Sequence, residues 1–373
     1  MAEWEAQMAT GSSAVCMLPS AHCRKEEHST LSTVSQFAFP MATAIGPTAA
    51  VDLHLHTLAS DGFWTPPALI DHLAERGFRV VAVCDHDTQR SVAETMRLGD
   101  ERGIVVVPGV EMTTNWSDRQ WHLLVYGIAP DRTDPAAAPF KALLTEIDAR
   151  LQRAAGDAWK RIEASGRALP SLGEVMAGRP LWPFHVLSSA IKEGHVKNLT
   201  EAANLVVELG GTFTADLPLG EVVAAAHEAG GICVVAHPGR SDSVGIMTEA
   251  DLDRMLAEIP IDGLEAHYRS YTDEQTATYR RLAEERGLLI SCGSDSHAPK
   301  QPVDPRPWRA VWCADLLRRL GVDVAPAEGE TWARGMDPEA VVPQPDPAPQ
   351  SEPPGEQLMD AEAELEPAGV AAR

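Results

Sequence analysis

The chain has 373 residues, a formal net charge of −23, and 44% hydrophobic against 23% charged residues, a balance that supports one large buried core or two small ones. Its apolar residues never run long enough for a membrane-spanning helix, and its acidic balance excludes a wide basic surface for long nucleic acid. The six cysteines are scattered with no Cys-x-x-Cys pair, which excludes a cysteine zinc cage and disfavours a disulfide framework.

In chain order, residues 1–49 are rich in Ala, Ser, Thr and Met, show no sustained periodicity, and read as a disordered leader. Met1-Ala2-Glu3-Trp4-Glu5 lacks the basic start and apolar run of a secretory signal, so a cytoplasmic location is expected. From residue 50 onward, short β-branched runs at 50–55, 79–84, 104–108, 121–126, 232–236, 263–266 and 288–292 alternate with amphipathic stretches. Helices are predicted at 67–76, 90–102, 219–229 and 273–286, each followed by a glycine, as helix C-termini prefer. Alternating strands and helices imply a parallel sheet of about seven strands in an α/β barrel-like domain over 50–325. A helical insertion at 135–211 falls between the fourth and fifth strands, where it would cap the end at which active sites gather. Residues 308–320 read as a final barrel helix. Residues 326–373 form an acidic, Pro-rich tail: from Glu328 onward eleven acids face two arginines, leaving a moderately acidic body. There is no internal repeat.

Metal-ligand residue types stand where the strands should end. His54-Leu55-His56 closes the first strand, and alternate strand positions share a face, so both imidazoles can meet one ion. Asp61 follows in the loop. Asp85-His86-Asp87 closes the second strand, Glu111 follows the third, and His122 begins the fourth. His237 closes the fifth, and Asp295 and His297 close the last. A single strand-end histidine means little, but six of them with several acids on the face where barrels place active sites indicate a metal centre. The set holds no thiolate, which suits Mn²⁺, Fe²⁺ or Zn²⁺. Nine ligands exceed the needs of one ion, so two or three divalent ions sharing carboxylates are expected. Such clusters suit phosphate-ester hydrolysis, because they acidify a bound water and neutralise the leaving oxygen.

The ordered motifs His54-Leu55-His56 with Ser60-Asp61-Gly62, Cys84-Asp85-His86-Asp87, Pro108-Gly109-Val110-Glu111, Ala236-His237-Pro238 and Gly293-Ser294-Asp295-Ser296-His297 resemble those of the PHP (polymerase and histidinol phosphatase) superfamily. Together with Gly178-Arg179-Pro180 before His185, and His237-Pro238-Gly239-Arg240, they are most similar to one branch. That branch comprises nucleoside 3′,5′-bisphosphate phosphatases and 5′-to-3′ oligoribonucleotidases. The resemblance implies a distorted seven-stranded barrel of PHP type with a trinuclear centre. It implies that His54, His56, Glu111 and Asp295 hold one ion, and that Glu111 bridges to a second completed by His122 and His237. Asp61, His86 and His297 would hold the third. It also implies an outer or proton-handling role for Asp85, and phosphate contacts for Arg179, His185 and Arg240. The expected substrates are a small phosphorylated nucleotide or short RNA, cleaved by metal-activated water, with no membrane and no extended duplex DNA. A histidinol-phosphate-type phosphatase and a non-catalytic PHP scaffold are the alternatives.

Three features depart from the branch. Cys84 stands where Thr is usual, the segment from Arg179 to His185 is longer, and the chain diverges after Ala298. Among the remaining polar residues, His72 is expected on an exposed helix face, His195 and His227 on helices, and His267 at the rim of the site. Trp116 and Trp121 are expected to pack in the core rather than stack on a base.

Overall fold

Val, Ile and Leu-rich runs bounded by turn residues form the long strands: β1 (Ala50–Leu55), β2 (Phe78–Val83), β3 (Val105–Trp116) and β4 (Arg119–Tyr126), then, after the two-residue β5 (Leu217–Pro218), β6 (Ile232–Val235), β7 (Gly263–Tyr268) and β8 (Leu289–Gly293). A further two-residue strand, β9 (Trp308–Arg309), follows. The computed structural model describes residues 44–213, 215–240, 246–299, 304–328 and 332–336. The hydrogen-bonded path runs β8-β7-β6-β4-β3-β2-β1-β9, with β5 pairing off it onto β3. A Leu55–Ser296 bridge joins the end of β1 to the segment just after β8, so eight strands form a nearly closed barrel where seven were expected. The extra strand is the first part of the expected final helix. Trp308 and Arg309 pair antiparallel with Val51 and Ala50, a 3-10 turn follows at Ala310–Cys313, and the α-helix begins only at Ala314.

The sheet is mixed, not parallel. No helix separates β3 from β4: Trp116 and Arg119 flank a two-residue turn at Ser117 and Asp118, both in the left-handed region (φ 54° and 58°). Such a turn matches the twist of an antiparallel hairpin, so β4 runs against both β3 and β6. Glu111 and His122 consequently lie within long hairpin strands rather than at strand termini.

Helices cover the outside as the sequence indicates. Pro66–Glu75 is capped by the Thr65 side chain, and Val92–Arg102 ends at Gly103 in the left-handed conformation. Leu219–Glu228 and Asp273–Glu285 fall on their predicted segments, and Glu249–Glu258, capped by Thr248, is additional. Inward residues from seven strands, including Leu53, Ala82, Val107, Tyr126 and Val234, fill the barrel, where the Tyr126 hydroxyl donates to the Leu53 carbonyl. Residues 138–208 carry four helices, of which Ala138–Ala164 is the longest, with a small apolar core of their own around Ala158, Leu187 and Val206. They touch the barrel at the loops after β1 and β2: Arg179 donates to the Leu58 carbonyl, and Arg90 pairs with Asp148. Ile45 bridges to Val324 and Trp332 packs into the barrel cluster, so ordered structure reaches slightly beyond 50–325 at both ends. The remainder of the expected leader and tail lies outside the described residues. Among the described residues no helix is long and apolar enough to cross a membrane.

Candidate metal centre

Two local irregularities aim the polar side chains inward. In β1 the pairing with β2 slips between Asp52 and Leu55, so Leu53 joins the barrel interior while Leu55 joins the outer layer. His54 and His56 both point into the cavity. In β7 the register shifts between Glu265 and His267, an extra residue that breaks the alternation. Glu265 and Tyr268 therefore face the cluster. His267, expected at the rim, is instead buried, stacked on Trp312 (ring centroids 5.0 Å, 10°) beside Trp308, Trp332 and Arg280.

All nine candidate ligands converge. Glu111, fully buried, is the hub: one oxygen lies 2.8 Å from His54 Nε2, 3.1 Å from His56 Nε2 and 3.6 Å from His86 Nε2. Its other oxygen lies 2.9 Å from His237 Nε2 and 3.0 Å from His122 Nδ1. Asp295 faces His56 Nε2 at 3.0 Å and His54 Nε2 at 3.5 Å, and Asp61 approaches His86 at 3.6 Å and His297 at 3.4 Å. Asp87, His237 and Asp295 all have positive φ (52°, 27° and 52°), so backbone strain gathers on the turns that carry the ligands. Two glycines are sterically required. A Cβ on Gly62 would sit 2.9 Å from the His56 backbone carbon, and one on Gly293 would sit 2.3 Å from both Glu265 Oε1 and His54 Cβ.

The electrostatics are those of a cation site. Burial raises the carboxyls of Glu111 and Asp295, yet the surrounding imidazoles, His54 foremost for both, hold them well below the ordinary range. Conversely, burial lowers His54, but Glu111, Glu265 and Asp295 pull it well above its usual value. Burial holds His237 down at about 3, so it is a neutral ligand at pH 7. Five imidazoles around one carboxylate cannot all carry protons, and both ring nitrogens of His56 and Nδ1 of His122 are buried without a well-formed hydrogen bond. Imidazoles and carboxylates crowded this closely in a buried cluster fit a site that could hold metal ions.

The remaining predicted residues divide. Arg240 lies 3.2 Å from Asp295 Oδ2, at the cluster. Arg179 gives three N–H donors to the carbonyls of Met176, Leu58 and Val175, tying the helical segment to the loop after β1. His185 is buried and accepts the Trp182 N–H at Nδ1, while its Nε2 has no partner. Burial, Arg179 and Arg90 push it down to about 4. Asp85 accepts from Thr57 N (2.7 Å), Thr57 Oγ1 (2.8 Å), Ser60 Oγ (2.7 Å) and Ser91 Oγ. Cys84 is fully buried against the Leu53 carbonyl (3.5 Å) beneath Gly109. Trp121 is buried and Trp116 donates to Glu258. His72, expected exposed, is half-buried against Asp304 (2.9 Å), whereas His227 pairs with Asp262 and His195 with the Ala168 carbonyl.

A 5′-3′ exoribonuclease of Haemophilus influenzae is 30% identical over 263 residues, spanning 68% of this chain and 91% of that enzyme. A 3′,5′-nucleoside bisphosphate phosphatase of Chromobacterium violaceum is 31% identical over 266 residues, 67% of this chain and 88% of the relative. The chain belongs to the PHP superfamily of metal-dependent phosphoesterases. A solved structure from Bifidobacterium adolescentis, assigned as a metal-dependent phosphoesterase, superposes with a TM-score of 0.61 at 26% identity, covering 75% of this chain and 99% of that one. No family model matches the sequence.

Within this PHP centre, three residues escape a reading that looks only at strand ends. Glu265, fully buried, faces His54 Nδ1 at 3.0 Å and accepts the His237 backbone N–H at 2.7 Å, so it orients two ligands at once. Tyr268 donates to Asp295 Oδ2 at 2.7 Å, and Arg269 donates to the Asp295 carbonyl at 2.6 Å. An acid inside an apolar strand was the available signal for Glu265.

Proposed function

We propose that this chain hydrolyses phosphate esters of nucleoside 3′,5′-bisphosphates and of short 5′-phosphorylated oligoribonucleotides, the activities carried in the names of its relatives. The two are one chemistry: each seats a 5′-phosphate and cleaves at the 3′ oxygen. The observation that carries the reading is the convergence of the nine metal-ligand side chains around Glu111 and Asp295.

His54, His56, Glu111 and Asp295 would hold one ion, Glu111 with His122 and His237 a second, and Asp61, His86 and His297 a third. Bound there, divalent ions acidify a coordinated water and offset charge on the phosphoryl and leaving oxygens. The protein's own groups do the rest. Glu265 fixes His54 with its Nδ1 hydrogen outward, leaving Nε2 as the donor atom. The Asp295 carbonyl does the same for His297 at 3.0 Å. Arg240 offers a guanidinium to a phosphoryl oxygen at the cluster. His185, neutral and accepting at Nδ1, presents an N–H at Nε2 to a second phosphate, and an arriving anion strengthens that bond by raising its pKa. Arg179 positions the loop and contributes field, since three of its donors are already engaged. Asp85, acceptor to four donors, orders the loop carrying Asp61 and is not free to shuttle a proton.

The test offers manganese-loaded protein a nucleoside 3′,5′-bisphosphate, 5′-phosphorylated RNA, 5′-hydroxyl RNA and histidinol phosphate. Turnover of the first two, lost in Asp295→Ala, is expected. No turnover of either, or preference for histidinol phosphate, refutes the reading.

A further inference from the structure

Most large apolar side chains of the described residues are buried, and Phe63 is an exception at 39% exposure. It stands on a loop that is tightly built. The Leu58 N–H donates to the Trp64 carbonyl (2.9 Å), Ser60 and Gly62 N–H groups donate to Thr57, and the Phe63 N–H donates to the carbonyl of His297 (2.6 Å). Phe63 thus follows Asp61 by two residues and is hydrogen-bonded to the backbone of another candidate ligand. Its ring meets Phe184 edge-on (centroids 6.2 Å, 77°), and Phe184 immediately precedes His185, whose buried Nε2 lacks a partner. Phe184 lies in the first turn of the helix Pro183–Lys192, which is held to the β1 side through Arg179 and Leu58.

We propose that Phe63 and Phe184 form the nucleobase platform of the substrate site, against which the base of a nucleotide stacks while its phosphates reach His185 and the metal cluster. This rests on the nucleotide reading above and extends it to a part of the substrate that the ligand and phosphate residues do not address. A partly exposed phenyl ring on a rigid loop is costly to hydrate and needs no ordering on binding, which suits a flat π-face partner. Stacking is tolerant of base identity, because every base presents a π-face, so the platform predicts selection for nucleotides over bare sugar phosphates without strong preference among bases.

Calorimetry on metal-loaded protein with adenosine 5′-monophosphate and with ribose 5-phosphate tests this independently of turnover. Wild type should bind the nucleotide more tightly. Phe63→Ala and Phe184→Ala should weaken nucleotide binding roughly 10- to 100-fold and leave ribose 5-phosphate unchanged, and Phe63→Tyr should retain the affinity. Equal affinity of wild type for the two ligands, or equal losses for both ligands in Phe63→Ala, overturns the platform. If Phe184→Ala fails to fold, Phe63→Ala decides, because its ring is already partly in water. Base-dependent binding without hydrolysis of any nucleotide would instead sink the hydrolase reading and leave the platform standing.

Discussion

Glu265 touches no candidate substrate group, yet it fixes His54 and the His237 backbone, and its place is crowded by Gly293. Glu265→Gln keeps the shape and removes the charge that orients His54, so metal affinity or turnover should fall about 10- to 100-fold with the fold retained. Metal titration alongside circular dichroism reads this. Gly293→Ala should do worse, since its methyl meets Glu265 and His54 at 2.3 Å and overpacking of this kind costs about 1–3 kcal/mol. His185 gives a pH signature. Its folded pKa near 4 lies below the ordinary 6.5, so between those values the unfolded chain holds a proton that the folded chain does not. Its contribution to stability is complete above pH 6.5 and is lost as the pH falls through that window. Urea titrations across pH 4–7 should show a shallower pH dependence in His185→Gln; an unchanged slope would contradict the assignment.

At the level of elements, the seven long strands were legible because most are short apolar runs bounded by turn residues, and four outer helices were legible from periodicity and a closing glycine. The β3–β4 hairpin was not. Ser117-Asp118 lacks the Asn-Gly or Asp-Gly signature of such turns, although both residues adopt positive φ. The rim expectation for His267 failed because nothing in Glu265-Ala266-His267 announces the inserted residue that turns His267 away from the ligand cluster. The convergence of the candidate ligands was readable, since imidazoles and carboxylates at strand ends have few other reasons to recur. Glu265, inside a strand body, fell outside that pattern. The helix Glu249–Glu258 was overlooked despite its reciprocal Thr248 and Asp251 capping box. Thr248→Ala should lower stability by about 1 kcal/mol without altering metal content, which denaturant melts and elemental analysis together would show.

At the scale of the whole molecule, the barrel is joined along one weak line. Between β1 and the segment after β8 there is the Leu55–Ser296 bridge, the His56 N–H to the Ser296 carbonyl (2.9 Å), and Asp52, which accepts from Ser294 N (2.9 Å) and Arg306 N (3.0 Å). His54 and His56 stand on one lip of that line, Asp295 and His297 on the other. Any cation shared by the two lips acts as a clasp, and stripping it leaves the two lips joined across an opening by few backbone bonds and by His54 and His56 facing Asp295. Chelation should therefore lower the melting temperature, restored by added Mn²⁺. It should also unfasten the molecule locally: amide exchange should quicken first at residues 54–57 and 294–297, while the interior of the β3–β4 hairpin stays protected. A protein built this way reports its own metal status to any protease that tests its edges.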